Sequence, residues 1–150
     1  MQNNKWLIFA ISGPLLAALV VVGYVLYVHS HEGLKSISID GNTIYVSVAD
    51  TEASRELGLG GRESLADDEG MLFVFPVEGK YPFWMKDMHF AIDMLWIASN
   101  DSIIYIQGDV VPATYPEAFQ PTSGLARYVL ELPAGYAIAH NIKTGDKVQI

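Results

Sequence analysis

The segment with the most varied side-chain chemistry is YPFWMKDMHFAIDMLWIA, residues 81–98. It combines two tryptophans, two phenylalanines and three methionines with a lysine, a histidine and two aspartates. Asp93 interrupts an apolar strand pattern in this segment, and an unpaired charge buried in a sheet is costly. We therefore expect Asp93 either to form a structural ion pair with Arg62, Lys86 or Arg127, or to anchor a ligand in a polar pocket.

A second acid, Glu131, lies in the strand-like pattern of residues 127–132, on its less apolar face. Arg62 is the best candidate to bridge Glu131 and Asp93, because a planar guanidinium group can contact two carboxylates. The ring of Trp84 would then form one wall of a cleft. The sequence predicts that five side chains converge on one ligand-binding cleft: Arg62, Trp84, Lys86, Asp93 and Glu131.

Met85, Met88 and His89 form an M-x-x-M-H pattern. Thioether and imidazole groups are ligands that suit Cu(I), but methionine is also a common filler of apolar cores. We therefore expect no metal ion and no cofactor, and we keep these three residues as the candidates for a metal site.

Composition excludes several functional classes. The chain has no cysteine, which rules out disulfides, thiolate nucleophiles and cysteine-based zinc sites. Its formal net charge is −8, and such an acidic chain repels phosphate backbones, so we expect no nucleic-acid partner. The sequence also lacks the glycine-rich phosphate-binding patterns and the G-x-S-x-G pattern of serine hydrolases.

These residues must be positioned mainly by strands. SISIDGNTIYVSVA, residues 36–49, alternates apolar and polar side chains around a two-residue turn and predicts a β-hairpin. A turn at Gly41-Asn42 would pair Ile39 with Ile44, whereas a turn at Asp40-Gly41 would pair Ile39 with Asn42. We expect the first register, because it pairs apolar side chains.

Further elements follow from local patterns. Thr51 can cap a short helix over 52–59, another helical turn can follow Gly135, and residues 108–124 predict a long loop. Strands are predicted at 71–75, 92–98, 103–107, 127–132 and 147–150. The fold class expected is mainly β (β-rich α+β), a small barrel-like or strongly bent sheet with one or two short helices.

Residues 6–28 form an uncharged run of 23 residues that predicts a transmembrane signal-anchor helix. At ~1.5 Å per residue it would span about 35 Å, enough for a hydrocarbon core of ~30 Å. A cleaved signal peptide is the alternative, but the run is long and lacks an A-x-A exit. We expect a tail (1–5), a single-pass anchor in the lipid bilayer, a linker (29–36) and a domain (37–150) outside the cytoplasm.

Several consecutive motifs resemble the DUF192 family, a domain of unknown function. They are TEASRELGL from Thr51, GRESL from Gly61, GMLFVFP from Gly70, YPFWMKD from Tyr81, Ile92-Asp93, YVLELPAG from Tyr128, and Gly145-Asp146. The resemblance covers about residues 50–150. It implies a small, mainly β domain that is often exported or membrane-tethered, and it implies no established reaction.

The positions characteristic of that family correspond here to Arg62, Met71, Phe73, Trp84, Met85, Lys86, Asp93, Glu131 and Asp146. This chain departs from the family pattern at two places. Gly60 stands where a methionine is usual, which would open space beside the predicted helix. Met88-His89 replaces a more polar pair, so a copper site would be specific to this chain.

The function expected is that of a non-enzymatic binding module at the outer membrane face, for a small polar ligand, a peptide or an envelope protein. The alternatives are a carboxylate-based hydrolase of envelope material and a Cu(I)-binding protein. A hydrolase needs two acids converging on one cleft, at least one of them with a displaced pKa. No catalytic residue is assigned from the sequence.

Overall fold

The computed structural model describes the chain from residue 5 to residue 150, with side chains described for 15–29 and 31–150. The chain divides into two compact units, with the boundary between Gly33 and Leu34. Residues 1–4 of the predicted tail lie outside the described residues, as do the side chains of 6–14 in the predicted anchor.

The first unit contains one helix, α1 (Lys5–Ser30). Large aliphatic side chains on its described part, including Leu16, Val20 and Leu26, are more than half exposed. Among the described residues, no helix reaches the length and apolarity that a membrane crossing requires.

The second unit consists of seven strands, two short helices and one 3₁₀ turn. In chain order these are β1 (Lys35–Ile39), β2 (Asn42–Ala49), α2 (Glu52–Leu57), β3 (Glu69–Gly79), β4 (Ile92–Ile97), β5 (Ile103–Val110), the 3₁₀ turn (Pro112–Thr114), β6 (Ala126–Pro133), α3 (Tyr136–Ala139) and β7 (Val148–Gln149). Every strand and helix predicted in this part of the sequence is present, with ends that differ by a few residues.

The strands form one sheet in the order β5-β4-β6-β3-β2-β1-β7. Neighbouring strands are antiparallel except β2 and β3, which are parallel. The sheet curls until the start of the edge strand β5 meets the segment that precedes the other edge strand, β7: Ile103 donates its N–H to the carbonyl of Asp146 at 2.9 Å, and Gly145 donates to the carbonyl of Ile103 at 2.8 Å. The expectation of a mainly β, barrel-like sheet is thereby confirmed.

Apolar side chains cover both faces of this sheet in two layers. The first layer consists of Ile37, Ile39, Ile44, Val46, Leu72, Leu95, Ile97, Ile103, Leu130, Leu132, Tyr136, Ala137, Ile142 and Val148. The second layer consists of Ala49, Leu59, Met71, Phe73, Met85, Ile92, Met94, Trp96, Val110, Ala126 and Val129. Loop residues such as Leu59 and Met85 complete the second layer, so segments outside the sheet pack over that face.

The hairpin of β1 and β2 has the register that the sequence analysis rejected. Ile39 pairs with Asn42, and Ile37 pairs with Ile44. The turn is therefore Asp40-Gly41, where both residues have positive φ, 48° and 80°. Turn chemistry decided between the two registers, because a two-residue turn that matches strand twist needs positive φ at both positions. Both registers bury the same apolar face.

The short helix α2 begins as predicted. Thr51 is its N-cap, and Thr51 and Ser54 each accept a hydrogen bond from the other's backbone N–H, at 3.1 and 3.0 Å. This reciprocal arrangement satisfies two N–H groups that a helix start otherwise leaves open. The cap fixes the direction in which the chain leaves β2 and crosses the second layer.

Candidate functional site

A cleft of about 970 Å³ opens over the second apolar layer. Helix α2, the turn at 58–61, the segment 81–88 and the underlying strands β3 and β6 enclose it. Its lining consists of Glu52, Ala53, Arg55, Glu56, Leu57, Gly58, Leu59, Gly60, Gly61, Phe73, Phe75, Tyr81, Pro82, Phe83, Trp84, Lys86, Asp87, Met88 and Glu131. The volume lies in the range of small-molecule sites in proteins.

One side of the cleft is aromatic. Phe75 stacks on Tyr81 with ring centroids 3.5 Å apart, and Phe83 meets Phe73 edge-on at 4.8 Å. Trp84 is 50% exposed at the cleft, whereas Phe73 is buried and the other three rings are partly buried. The cleft therefore offers a rigid aromatic surface with one tryptophan that is open to solvent.

Arg55 on α2 is held against the same surface. Its guanidinium carbon lies 5.4 Å from the centre of the Phe75 ring. Its Nη1 donates to the carbonyls of Asp50 and Val74, at 2.6 and 2.8 Å. These contacts tie helix α2 to β3 and set the width of the cleft on that side.

The turn at 58–61 and the segment 81–88 are joined directly. Gly61 donates its N–H to the carbonyl of Asp87 at 2.8 Å. A Cβ atom added to Gly60 would lie 3.1 Å from the carbonyl oxygen of Leu57 and 3.5 Å from that of Lys86. Gly60 thus lines the cleft beside α2, and its missing side chain lets the two segments approach closely.

Glu131 projects from β6 into this cleft and is only 4% exposed. Its paired neighbours on β3 and β4 are Met71 and Met94. Its Oε2 atom is buried and has no hydrogen-bond partner. Burial raises the pKa of the Glu131 carboxyl from 4.5 to about 8, partly offset by the positive charge of Arg62. Glu131 is therefore a largely uncharged acid at neutral pH, with hydrogen-bonding capacity left open.

Of the five predicted site residues, Trp84, Lys86 and Glu131 line the cleft together. Arg62 is adjacent to the lining and acts on Glu131 through its electric field. Its Nη2 donates to the hydroxyl of Ser47 at 3.4 Å. Within residues 31–150, no ion pair of 4.0 Å or less joins Arg62 to a carboxylate, so it does not bridge two acids as expected.

Asp93 does not belong to this cleft, and the prediction that all five residues converge is wrong for it. Asp93 pairs with Leu132 whereas Glu131 pairs with Met94. Directly paired residues share a face and successive residues alternate. Asp93 therefore points into the first layer, on the opposite face of the sheet from Glu131. There it lines a separate cavity of about 470 Å³.

The partners of Asp93 are backbone groups and not a cation. Its Oδ1 accepts hydrogen bonds from the N–H groups of Asp109 at 2.8 Å and Gly135 at 3.1 Å. Its Oδ2 accepts from Ala137 at 2.9 Å. A carboxylate satisfied in this way needs no counter-ion to be buried. The expected ion pair is therefore replaced by a structural tie between β4, the end of β5 and the start of α3.

The three candidate copper ligands lie in different surroundings. Met85 is 1% exposed within the second layer, and Met88 lines the cleft. His89 Nδ1 lies 3.5 Å from an Oε1 atom of Glu63. Over the part of the chain that the structure describes, no group of three or more His, Cys, Asp or Glu residues could hold a metal ion.

Sequence reasoning missed Phe73, Phe75 and Phe83 as parts of the aromatic side of the cleft. A signal for two of them was present, because Phe73 and Phe75 are two residues apart and share one face of the strand MLFVF. Nothing in the sequence indicated which face would carry the cleft, since both faces of β3 are apolar.

Comparison with known proteins agrees with this architecture. A "putative transcription regulator" from Sinorhizobium meliloti 1021 has a crystal structure that is 32% identical, with a TM-score of 0.70, over 76% of this chain and 91% of that one. A protein of unknown function from Novosphingobium aromaticivorans DSM 12444 is 26% identical, with a TM-score of 0.74, over 78% of this chain and 85% of that one. Among curated proteins, no sequence matches this chain.

A family model also matches most of the chain. The match extends over residues 35–150 and belongs to DUF192, which is described as an uncharacterised ACR. It includes all the strands of the sheet and every segment that encloses the cleft. The chain therefore belongs to the DUF192 family.

Proposed function

We propose that the domain is a non-enzymatic binding module that takes a small ligand in the cleft over the second apolar layer. The proposal rests mainly on the state of Glu131. This buried acid faces a cleft of about 970 Å³, and its Oε2 atom has no hydrogen-bond partner in the protein. A buried polar group without a partner costs free energy. A ligand that supplies the missing hydrogen bond would recover that cost.

The rest of the cleft fits the same function. Binding sites for small molecules combine mostly apolar and aromatic walls with a few polar groups that orient the ligand. Here Phe75, Phe83 and Trp84 supply the walls, and Lys86 and Glu131 supply polar groups. The half-exposed ring of Trp84 is suited to cover a ligand after it enters.

A titration followed by NMR tests this proposal. The full chain, in detergent micelles and with ¹⁵N-labelled tryptophan, is titrated with phenylacetamide, phenethylammonium and phenylacetate, which share one ring and one chain length. We expect at least one probe to shift the indole N–H signal of Trp84 saturably. The signal of Trp96, which is fully buried and bonded to the Tyr81 carbonyl, serves as an internal control. If no probe shifts Trp84 saturably, the proposal is wrong.

A carboxylate-based hydrolase is the second candidate, and one observation favours it. Glu131 has a pKa of about 8, and Glu56 and Asp87 line the same cleft. A general acid with a raised pKa beside an ionised acid is the usual arrangement of such enzymes. The test is release of soluble fragments from purified cell-wall material by the full chain. Release that Glu131→Gln abolishes would favour the enzyme over the binding module.

We also propose that residues 6–28 anchor the chain in a lipid bilayer and hold the domain outside the cytoplasm. The support comes from the 23 uncharged residues and from the exposed apolar side chains along the described part of α1. Exposed apolar surface of this extent is costly in water and favourable in lipid. A reporter that is active only outside the cytoplasm, fused after Ile150, should be active. An inactive reporter on a stable, membrane-inserted fusion would contradict this orientation.

A further inference from the structure

We propose that Glu131 recognises the ligand in its uncharged form. The cleft would then select ligands that join an aromatic or apolar ring to a neutral hydrogen-bonding group, such as an amide. This inference rests on the proposed binding function and names the class of ligand for the same site. It follows from the burial of Glu131, the charges around it and the rings beside it.

Apolar side chains flank the carboxyl group of Glu131 on both neighbouring strands. Met71 and Met94 flank Glu131 across the sheet, so its neighbours on β3 and β4 offer no hydrogen-bonding side chain. Within the described part of the domain, no cation lies within 4.0 Å of its oxygens. An ionised carboxylate in this position would be buried with only the more distant charge of Arg62 to offset the loss of hydration, which is unfavourable. A protonated carboxyl can donate one hydrogen bond and accept others.

Charged side chains of both signs line the cleft. Helix α2 contributes Glu52, Arg55 and Glu56 to the cleft, and the segment 81–88 contributes Lys86 and Asp87. Arg62 adds a third cation next to the lining and acts on Glu131. With Glu131 protonated, the lining itself has two cations and three carboxylates, and Arg62 beside the lining brings the cations to three. The cleft therefore has no large excess of either sign that would attract an ion in preference to a neutral ligand.

Aromatic rings form one side of the cleft. Phe75 and Tyr81 form a stacked pair, and Phe83 stands edge-on to Phe75 with centroids 6.4 Å apart. Aromatic rings add to such arrays in offset or edge-on geometry, with a gain beyond the area they bury. Lys86 and Glu131 line the same cleft as these rings, so they are the groups available to the polar end of such a ligand. The aromatic rings together with an uncharged Glu131 suit a ligand that joins a ring to an amide better than one that joins a ring to a charged group.

The three probes above separate this inference from the proposed function. We expect phenylacetamide to shift the Trp84 signal at lower concentration than phenethylammonium or phenylacetate at pH 7. The protonated fraction of Glu131 falls from about nine-tenths at pH 7 to about one-tenth at pH 9 if the pKa is about 8. The dissociation constant for phenylacetamide should therefore rise about tenfold between these pH values.

Two variants complete the test. Glu131→Gln keeps a neutral group of the same shape, so phenylacetamide should bind with a dissociation constant that no longer changes between pH 7 and pH 9. Glu117→Gln, at an exposed position outside the cleft, should keep the wild-type pH dependence. If Glu131→Gln does not fold, the change in the wild-type dissociation constant for phenylacetamide between pH 7 and pH 9 still tests the inference.

Preference for phenethylammonium, with binding that strengthens from pH 7 to pH 9, would overturn the inference while leaving a binding function in place. Preference for phenylacetate would overturn it as well. Absence of saturable binding by all three probes would instead contradict the proposed function, and the inference with it.

Discussion

Glu131 and Asp93 are two buried acids on neighbouring strands that differ in their hydrogen bonding. The carboxylate of Asp93 accepts three backbone hydrogen bonds, which satisfy it within the fold. Glu131 has an oxygen without any partner, and burial raises the pKa of its carboxyl. The first acid therefore has a structural role, whereas the second is available to a ligand.

The stability of the domain should depend on pH through Glu131. Its carboxyl has a higher pKa in the folded protein, about 8, than the ordinary value of 4.5. The folded state therefore binds the proton of Glu131 more tightly than the unfolded state does. The contribution of this proton to the free energy of unfolding is fully present below pH 4.5 and is lost as the pH rises to about 8. The loss is about 1.4 kcal/mol per pH unit at most within that window.

Glu131→Gln removes this titration and tests the prediction. Denaturant unfolding at pH 5, 7 and 9 should show that the variant gains stability relative to the wild type as the pH rises, by a few kcal/mol in total. Glu117→Gln should show no such trend. A wild-type stability that rises with pH relative to Glu131→Gln would show that the acid is ionised in the fold.

Trp84 and Trp96 should differ sharply in their contribution to stability. Trp84 is 50% exposed, so Trp84→Ala should cost less than about 1 kcal/mol of stability while abolishing the binding of phenylacetamide as measured by calorimetry. Trp96 is fully buried and donates to the Tyr81 carbonyl at 2.8 Å, so Trp96→Ala should cost about 3–5 kcal/mol. Chemical denaturation measures both. Equal losses would mean that Trp84 belongs to the core.

At the scale of elements, Asp93 joins β4 to the end of β5 and to the start of helix α3. Asp93→Asn should cost about 1–3 kcal/mol, because the new amide group places a donor opposite a backbone N–H donor. Asp109→Asn is the matched control, since Asp109 contributes its backbone N–H and its side chain is exposed. Thermal unfolding compares the two. If Asp93→Asn left the thermal stability unchanged, the three hydrogen bonds would contribute little to it.

At the scale of the whole molecule, residues 34–150 should fold without α1. Both apolar layers lie wholly within this unit. Removing residues 1–28 should therefore give a soluble protein that unfolds cooperatively, as followed by circular dichroism in denaturant. Aggregation, or a gradual loss of signal without a transition, would mean that residues 1–28 contribute to the core of the domain.

Local features of this protein could be read from its sequence. The strands follow from alternation with a period of two, and helix α2 follows from the Thr51 cap. Both depend on residues that are neighbours in the chain. The need to compensate the acids Asp93 and Glu131 predicted a site of five residues, and three of them, Trp84, Lys86 and Glu131, line one cleft. The family resemblance over residues 50–150 supported the mainly β fold.

Only the tertiary structure decided which of these side chains meet. Asp93 and Glu131 fall on opposite faces because β4 and β6 are neighbours and Asp93 pairs with Leu132, a contact 39 residues apart in the chain. The cleft exists because the turn at 58–61 packs on the segment 81–88, where the N–H of Gly61 donates a hydrogen bond to the carbonyl of Asp87. Alternation determines that successive residues face opposite ways, but pairing between distant strands determines which face each one shares. The pairing of distant strands is set by the packing of the whole sheet, and no local sequence pattern predicts it.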